Sequence, residues 1–206
     1  MPSKFRLRYI FRPLINQLAK ALIKIRITPN KATIIMFCFS IISFITLVYF
    51  RNLLFFSISV FITGIMDGCD GAIARLNNKT TKFGGFFDSF MDRTSEFFIF
   101  LGLYIYTQDQ LLWNFIDMNL IILISFLASI MISYTRARAE VFFNGDFDIG
   151  LMARSERLFY IVIISVVSFF YDLFNLFLFI FMWLTLGTYL FRMIKIYFII
   201  KKKEAF

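Results

Sequence analysis

Four aspartates lie close together in a chain that is otherwise rich in apolar residues. Asp67 and Asp70 are three residues apart, and Asp88 and Asp92 are four apart, so on helices each pair would share one face. A short turn between the two helices would bring all four carboxylates together. Four negative charges in a poorly solvated place repel one another strongly unless cations join them. Because Mg²⁺ and similar hard ions prefer carboxylate oxygens, the pattern predicts a site for two divalent cations.

The same residues allow other interpretations. Aspartates inside a membrane also serve as proton relays or as ion-coupling residues of transporters, and in a purely structural role they would be replaceable. Gly71, Gly84 and Gly85 stand beside the carboxylates, where small residues let a nucleotide approach the backbone or let helices pack closely. Arg75 within the same stretch favours a metal-dependent phosphoryl-transfer site. The chain has no histidine, which excludes triads that use histidine and metal sites that are ligated by it.

The elements that must position these aspartates are predicted to be membrane helices. Of the 206 residues, 60% are hydrophobic, which is far above the composition of a soluble protein. Several apolar stretches approach the roughly 20 residues that a helix needs to cross a bilayer, and the period-2 alternation of a membrane β-barrel is absent. We therefore expect an all-α integral membrane protein with six transmembrane helices, near 32–50, 53–66, 97–107, 111–133, 158–171 and 173–191. The second and third reach full length only if their aspartate-bearing ends are included.

Residues 1–30 mix bases and apolar residues throughout and lack the ordered regions of a signal peptide. This composition predicts an amphipathic helix on the membrane surface. The helix is expected to break near Pro29, because proline restricts the residue before it and cannot continue a helix. Residues 31–200 are expected to form one six-helix bundle, and 1–206 a single domain.

Basic residues are concentrated on one side of the predicted bundle. They precede the first span, follow the second and fourth, and close the chain, whereas Arg51 is the base that the opposite loops offer. The positive-inside rule places the base-rich side, and the aspartates with it, in the cytoplasm. Topology and contact with anionic lipid account for the net charge of +9, so no nucleic-acid site is expected. Cys38 and Cys69 lie in or beside predicted spans, and no disulfide framework is expected.

The aspartate stretch resembles, at every position, the signature of the CDP-alcohol phosphatidyltransferase family. The matching pattern in this chain is Asp67-x2-Asp70-Gly71-x2-Ala74-Arg75-x8-Gly84-x3-Asp88-x3-Asp92. Members of this family have a surface helix and six membrane helices, so the resemblance covers essentially the whole chain. They are commonly homodimers, and the resemblance implies a homodimer here.

The resemblance also implies roles for individual residues. Two divalent ions, Mg²⁺ or Mn²⁺, would be held by Asp67, Asp70 and Asp88, and Asp92 would contact a metal and act as general base. The CDP part of a CDP-lipid donor would contact Gly71, Arg75 and Thr81. A further donor-binding segment would consist of Asn30, Lys31, Ala32 and Thr33. The acceptor hydroxyl, deprotonated by Asp92, would attack the β-phosphorus and CMP would leave. A donor with a soluble head and a lipid tail must react at the membrane boundary, where the aspartates are predicted.

Arginines elsewhere in the chain suggest which acceptor is used. The stretches "SYTRARAE" (133–140) and "ARSERL" (153–158) flank the second cytoplasmic loop, and Arg192 follows a long apolar run. The positive-inside rule alone explains any one of these arginines, but several near a metal site favour a phosphorylated acceptor, because guanidinium binds phosphate bidentately.

The two stretches are similar to those of the prokaryotic subgroup of the family whose acceptor is inositol phosphate. By that similarity, Arg136, Arg154 and Arg192 would bind the acceptor phosphate. Glycerol 3-phosphate is the alternative acceptor. The bias towards Lys, Asn, Ile and Phe favours an archaeal ether-lipid donor, CDP-archaeol, although the residues themselves do not separate it from CDP-diacylglycerol.

Overall fold

The chain is almost entirely α-helical in the computed structural model, which describes residues 7–142 and 147–204. The helices within these ranges are α1 (Leu7–Ile10), α2 (Arg12–Lys24), α3 (Pro29–Val48), α4 (Leu53–Leu76), α5 (Lys82–Tyr106), α6 (Met118–Phe142), α7 (Arg154–Phe170) and α8 (Phe174–Glu204). Between α5 and α6, strands β1 (Leu111–Leu112) and β2 (Ile116–Asp117) form a short antiparallel hairpin.

Short polar side chains fix where three of these helices begin. Thr28 Oγ1 accepts a hydrogen bond from the N–H three residues further on, at the start of α3. Asn52 Oδ1 accepts two bonds of 3.0 Å at the start of α4. Thr81 Oγ1 accepts a bond of 2.9 Å from Gly84 N at the start of α5. Each satisfies a backbone donor that has no partner inside its helix. The cap at Thr81 thereby fixes the residue at which the turn from α4 ends and α5 begins.

Helix α3 packs against both helices that carry the aspartates, α4 and α5. Helix α4 packs also against α2 and α7, and α6 packs against α8. A small apolar core joins α2 to α3 and α4; its buried members are Ala19, Ala32, Met36, Met66, Ala72 and Ile73. This core holds α2 beside the end of α4 that bears the first two aspartates.

Four of the described helices are long and apolar enough to cross a bilayer: Pro29–Val48, Leu53–Leu76, Met118–Phe142 and Phe174–Lys201. This confirms the prediction of a helical membrane protein in its coarser form. The other two predicted spans correspond to α5, whose 25 residues include several charges, and to α7, which has 17 residues.

The structure extends or revises the sequence-based boundaries at three places. Helix α5 begins at Lys82, ahead of the apolar run at 97–107, so it includes the aspartate-bearing end that the third span needs for full length. The predicted span at 111–133 instead starts with the β-hairpin, whose tip residues Trp113 and Asn114 have φ of 52° and 63°. An apolar run does not reveal such a left-handed turn. In the predicted surface helix at 1–30, α1 and α2 lie between Leu7 and Lys24, Pro29 already begins α3, and 1–6 lie outside the described residues.

Candidate active site

A cluster of carboxylates lies where the last turns of α4 meet the first turns of α5. One oxygen from each of Asp67, Asp88 and Asp92 lies within 4.8 Å of the other two. Asp88 Oδ1 is buried and has no hydrogen-bond partner among the described residues. A buried oxygen without a partner is costly unless a cation coordinates it. The oxygen ligands and their closeness therefore fit a divalent metal ion.

Asp70 lies beside this group of three. Its Oδ2 accepts a hydrogen bond of 2.8 Å from Thr33 Oγ1, its Oδ1 accepts one from Gly71 N, and its carboxyl group neighbours that of Asp88. Asp70 is 4% exposed and Thr33 is 2% exposed, so the bond between α3 and α4 is shielded from water. Thr33 is predicted from the sequence only as a donor-binding residue, and its bond to Asp70 depends on how the two helices pack.

Arg154, the first residue of α7, reaches into the carboxylate cluster. Its Nη1 contacts Asp67 Oδ1 and lies 2.7 Å from Asp92 Oδ1, and its side chain is 10% exposed. Its Nη2 also donates to the backbone carbonyl of Asp92 at 3.4 Å. The structure thus brings one of the three predicted acceptor arginines directly to the aspartates, where its positive charge offsets part of theirs.

The other two predicted acceptor arginines meet at Asp148. Arg192 donates to two backbone carbonyls at 2.6 and 2.8 Å and its Nη2 lies 3.3 Å from Asp148 Oδ1. Arg136 Nη1 lies 3.6 Å from Asp148 Oδ2, and its Nε lies 2.8 Å from Glu140 Oε1. Asp148 is 5% exposed and is absent from the sequence-based site. The sequence feature that could have indicated it is its position, as an acidic residue in the loop between the two arginine-containing stretches.

A polar cavity of about 190 Å³ opens beside Asp70 and Asp88. Most of the predicted donor-binding residues line it, namely Asn30, Thr33, Gly71, Arg75 and Thr81. Lys31 is exposed and Ala32 is buried in the small core under α2, and neither belongs to the lining. Lys79, which the sequence-based site does not include, lines the cavity as well. The cavity therefore combines a carboxylate edge with two basic side chains.

Two glycines shape this cavity by leaving room for neighbouring side chains. A Cβ atom at Gly71 would lie 3.2 Å from Arg75 Nη1, and one at Gly84 would lie 3.0 Å from Thr81 Oγ1. The missing side chain at Gly71 thus lets the Arg75 guanidinium lie against the backbone of α4. At Gly84 it lets the cap at the start of α5 close tightly.

A second cavity, of about 100 Å³, is apolar and lies between α1, α2, α4 and α7. Its lining includes Phe11, Ile15, Val60, Phe61, Leu158 and Phe159, and its acidic member is Asp67. Asp88 borders the polar cavity, and the carboxylate oxygens of Asp67 and Asp88 lie within 4.8 Å of each other. The carboxylate cluster therefore borders a polar space and an apolar space.

Comparison with known proteins places this geometry among lipid-synthesising enzymes. The chain is 35% identical over 165 residues to an archaetidylinositol phosphate synthase of Pyrococcus horikoshii, covering 80% of this chain and 82% of the relative. It is 33% identical over 152 residues to a phosphatidylinositol phosphate synthase of Mycobacteroides abscessus, covering 73% of this chain and 67% of the relative.

Solved structures agree with these relatives. A phosphatidylinositol phosphate synthase of Mycobacterium tuberculosis, crystallised with CDP-DAG bound, superimposes with a TM-score of 0.76 at 25% identity and covers 90% of this chain and 94% of that one. A structure of the same enzyme in complex with manganese and citrate gives a TM-score of 0.76 at 26% identity, covering 89% of this chain and 88% of that one. The family model described as CDP-alcohol phosphatidyltransferase matches residues 26–194. The chain therefore belongs to the CDP-alcohol phosphatidyltransferase family.

Proposed function

We propose that the protein is a membrane phosphotransferase that moves a lipid-phosphate group from a CDP-lipid to inositol phosphate and releases CMP. The observation that carries this proposal is the carboxylate cluster at the border of a polar and an apolar cavity. In a CDP-lipid, a pyrophosphate joins a polar nucleotide to apolar chains, so the two cavities suit its two ends. Both sequence relatives described above are named as inositol phosphate lipid synthases, which supports inositol phosphate as the acceptor.

The polar cavity is the proposed site for the CDP part of the donor, either CDP-archaeol or CDP-diacylglycerol. Its proposed contacts are Asn30, Thr33, Gly71, Arg75 and Thr81, all of which line the cavity. Lys31 and Ala32 belong to the proposed donor segment as its middle residues. Arg75 supplies a guanidinium for phosphate oxygens, and Gly71 leaves the backbone open to close approach. The crystal structure of the M. tuberculosis enzyme with CDP-DAG supports this class of donor.

The proposed metal ligands are Asp67, Asp70, Asp88 and Asp92. They would hold two divalent cations, Mg²⁺ or Mn²⁺, and the unpartnered buried oxygen of Asp88 supports this assignment. When bound, such ions neutralise the pyrophosphate and polarise its β-phosphorus. The bond from Thr33 holds the Asp70 carboxylate in one orientation. The manganese complex of the M. tuberculosis enzyme supports the choice of ions.

Asp92 is the proposed general base. A hydroxyl oxygen of the acceptor forms a bond to the β-phosphorus while the bond from that phosphorus to the bridging oxygen breaks. The hydroxyl proton passes to the Asp92 carboxylate, and CMP leaves with the bonding electrons. Arg154, which contacts Asp92 and Asp67, would hold the phosphate of an acceptor whose hydroxyl faces Asp92. Arg136 and Arg192, gathered at Asp148, are the other proposed acceptor-phosphate residues.

The proposed topology has six spans, with α5 and α7 added to the four apolar helices. Helix α5 is roughly 38 Å long and α7 roughly 26 Å at about 1.5 Å per residue, so both approach the thickness of the hydrocarbon layer. Asp88 and Asp92 of α5 belong to the carboxylate cluster, and Glu96 of the same helix is paired and 1% exposed. These charges therefore do not argue against a span.

In this topology, residues 1–206 form one domain in the cell membrane and the active site faces the cytoplasm. The amphipathic α2 lies on the membrane surface, on the same side as the bases at the end of α6 and the start of α7. We also propose a homodimer, and light scattering of the purified protein in detergent would measure its mass. Family membership and the polar cavity both favour the transferase over a cation transporter.

The decisive experiment supplies the purified protein with CDP-lipid, Mg²⁺ and one acceptor at a time. Inositol 1-phosphate, glycerol 3-phosphate and free inositol are compared by the release of CMP. Release with inositol 1-phosphate alone supports the proposed acceptor. Release with glycerol 3-phosphate alone would retain the aspartate chemistry and overturn the acceptor, and release with free inositol would overturn the phosphate-binding role of the arginines. If no acceptor supports release, the proposed function is wrong.

A further inference from the structure

A buried ion pair lies one helical turn deeper than the contact between Arg154 and Asp92. Glu96 of α5 is 1% exposed and Arg157 of α7 is fully buried. Arg157 donates two hydrogen bonds to Glu96 Oε1, from Nε at 2.8 Å and from Nη2 at 2.6 Å. Neither residue belongs to the aspartate motif or to the proposed substrate contacts.

The pair is in register with the site. Glu96 follows Asp92 by four residues on α5, and Arg157 follows Arg154 by three residues on α7, so each shares a helix face with its site residue. The two helices are therefore joined by two successive ion pairs, Arg154 with Asp92 and Arg157 with Glu96. The backbone of α7 packs mainly against α4, and that of α5 mainly against α3. Backbone packing thus contributes little to fixing the position of α7 relative to α5. The two helices are connected instead through the long side chains of Arg154 and Arg157.

Arg157 also fixes the start of α7. Its Nη1 donates to the backbone carbonyl of Met152 at 3.0 Å, and Met152 is itself 6% exposed. This bond ties the segment just before α7 to the same guanidinium that holds Glu96. Because Arg154 is the first residue of α7, this bond holds the backbone two residues before it.

Stability alone is a poor explanation for the pair. Glu96 Oε2 is buried and has no hydrogen-bond partner within the described part of the chain, so the carboxylate is only half satisfied. Buried ion pairs of this kind are often replaced by apolar residues without loss of stability. We propose that Glu96 and Arg157 are positioning residues that hold Arg154 against the carboxylate cluster, and through Arg154 set the affinity for a phosphorylated acceptor. This inference rests on the proposed function, because the acceptor role of Arg154 is part of it.

Glu96→Gln is the central variant, since the amide keeps the length and one accepting oxygen but removes the charge. The acceptor KM should rise about 10- to 100-fold, as expected when a substrate-contacting group is misplaced, while the KM for CDP-lipid should stay unchanged. Arg157→Lys keeps the charge but cannot bond both Glu96 and Met152 as the guanidinium does, so a smaller rise in acceptor KM is expected. Ser95→Ala, at a buried neighbour on the same helix, is the matched control with an unchanged acceptor KM.

A double-mutant cycle separates positioning from a merely structural role. If Glu96 acts through Arg154, Glu96→Gln should have little further effect on acceptor KM in an Arg154→Lys background. The inference is overturned if Glu96→Gln raises acceptor KM equally in the wild-type and Arg154→Lys backgrounds. It is also overturned if neither Glu96→Gln nor Arg157→Lys changes acceptor KM. In both cases turnover by the wild-type protein would still uphold the proposed function. Arg157→Lys carries the test if Glu96→Gln does not fold. Wild-type protein that saturates with neither phosphorylated acceptor would overturn both.

Discussion

The hydrogen bond from Thr33 to Asp70 allows the contribution of α3 to the reaction to be measured. Thr33 Oγ1 has one proton and two acceptors in reach, the Pro29 carbonyl at 3.2 Å and Asp70 Oδ2 at 2.8 Å. The hydroxyl proton forms its stronger hydrogen bond with Asp70 Oδ2, because this contact is shorter and its acceptor is a carboxylate. Thr33→Val replaces the hydroxyl with a methyl group of similar size and so removes this bond.

The expected loss follows from the burial of the bond. A buried hydrogen bond to a charged group contributes about 1.5–3 kcal/mol. If the whole of that contribution orients Asp70 in the transition state, kcat/KM should fall about 10- to 150-fold. The assay is CMP release from CDP-lipid with Mg²⁺ and inositol 1-phosphate, and the unfolding midpoint in detergent is measured in parallel to correct for lost stability.

Two control variants make the result specific. Thr33→Ser keeps the hydroxyl and should retain most of the activity. Thr46→Val makes the same substitution on the same helix, at a threonine that donates to the Ser43 carbonyl at 2.9 Å, and should leave kcat/KM unchanged. If Thr33→Val turns over like wild type, the orientation of Asp70 by α3 is refuted. If Thr33→Ser loses as much as Thr33→Val, the hydroxyl is not the cause.

Three further predictions concern the base, the metal and the loop before α7. Asp92→Asn should abolish CMP release while CDP-lipid binding measured by calorimetry largely survives, and full activity would refute its role as base. Chelation by EDTA should stop turnover until Mg²⁺ or Mn²⁺ is added, and turnover that persists in EDTA would contradict the carboxylate metal site. Gly150→Ala should lower the unfolding midpoint, because Gly150 has φ of +110° and an added Cβ would lie 2.6 Å from Thr188 Cγ2; the backbone strain alone costs on the order of 1–3 kcal/mol. Gly187→Ala, where an added Cβ meets nothing within 4 Å, is the matched control, and an equal midpoint for both variants would contradict the strain argument.

The parts of the site that depend on spacing along one helix could be predicted from the sequence. Asp88 and Asp92 share a face of α5 because they are four residues apart, and a five-residue connection at 77–81 brings them to Asp67. The apolar runs likewise indicated the long membrane helices. The β-hairpin was missed because Leu111, Leu112, Phe115 and Ile116 continue the apolar run of the following span, and the two polar residues among them, Asn114 and Asp117, are too few to interrupt it.

The parts of the site that depend on contacts between helices could not be predicted in the same way. The pairing of Arg157 with Glu96, and of Arg192 with Asp148, joins residues 61 and 44 positions apart. Any arginine near the membrane boundary satisfies the positive-inside rule, so the sequence does not reveal which carboxylate each one meets. Those choices are made by the packing of α5, α7 and α8.

The pairing of Glu96 with Arg157 also constrains how the protein is made. The two residues are 61 positions apart, so at about 5–20 residues per second the ribosome produces Glu96 roughly 3–12 s before its partner. During that interval α5 contains a carboxylate that opposes insertion, by about 3 kcal/mol for such a group at the centre of a lone helix. In the proposed topology the buried site of Glu96 is therefore complete only once α7 has emerged. Membrane insertion of α5 and α7 is then expected to be coupled, although the two helices are separated by α6 in the chain.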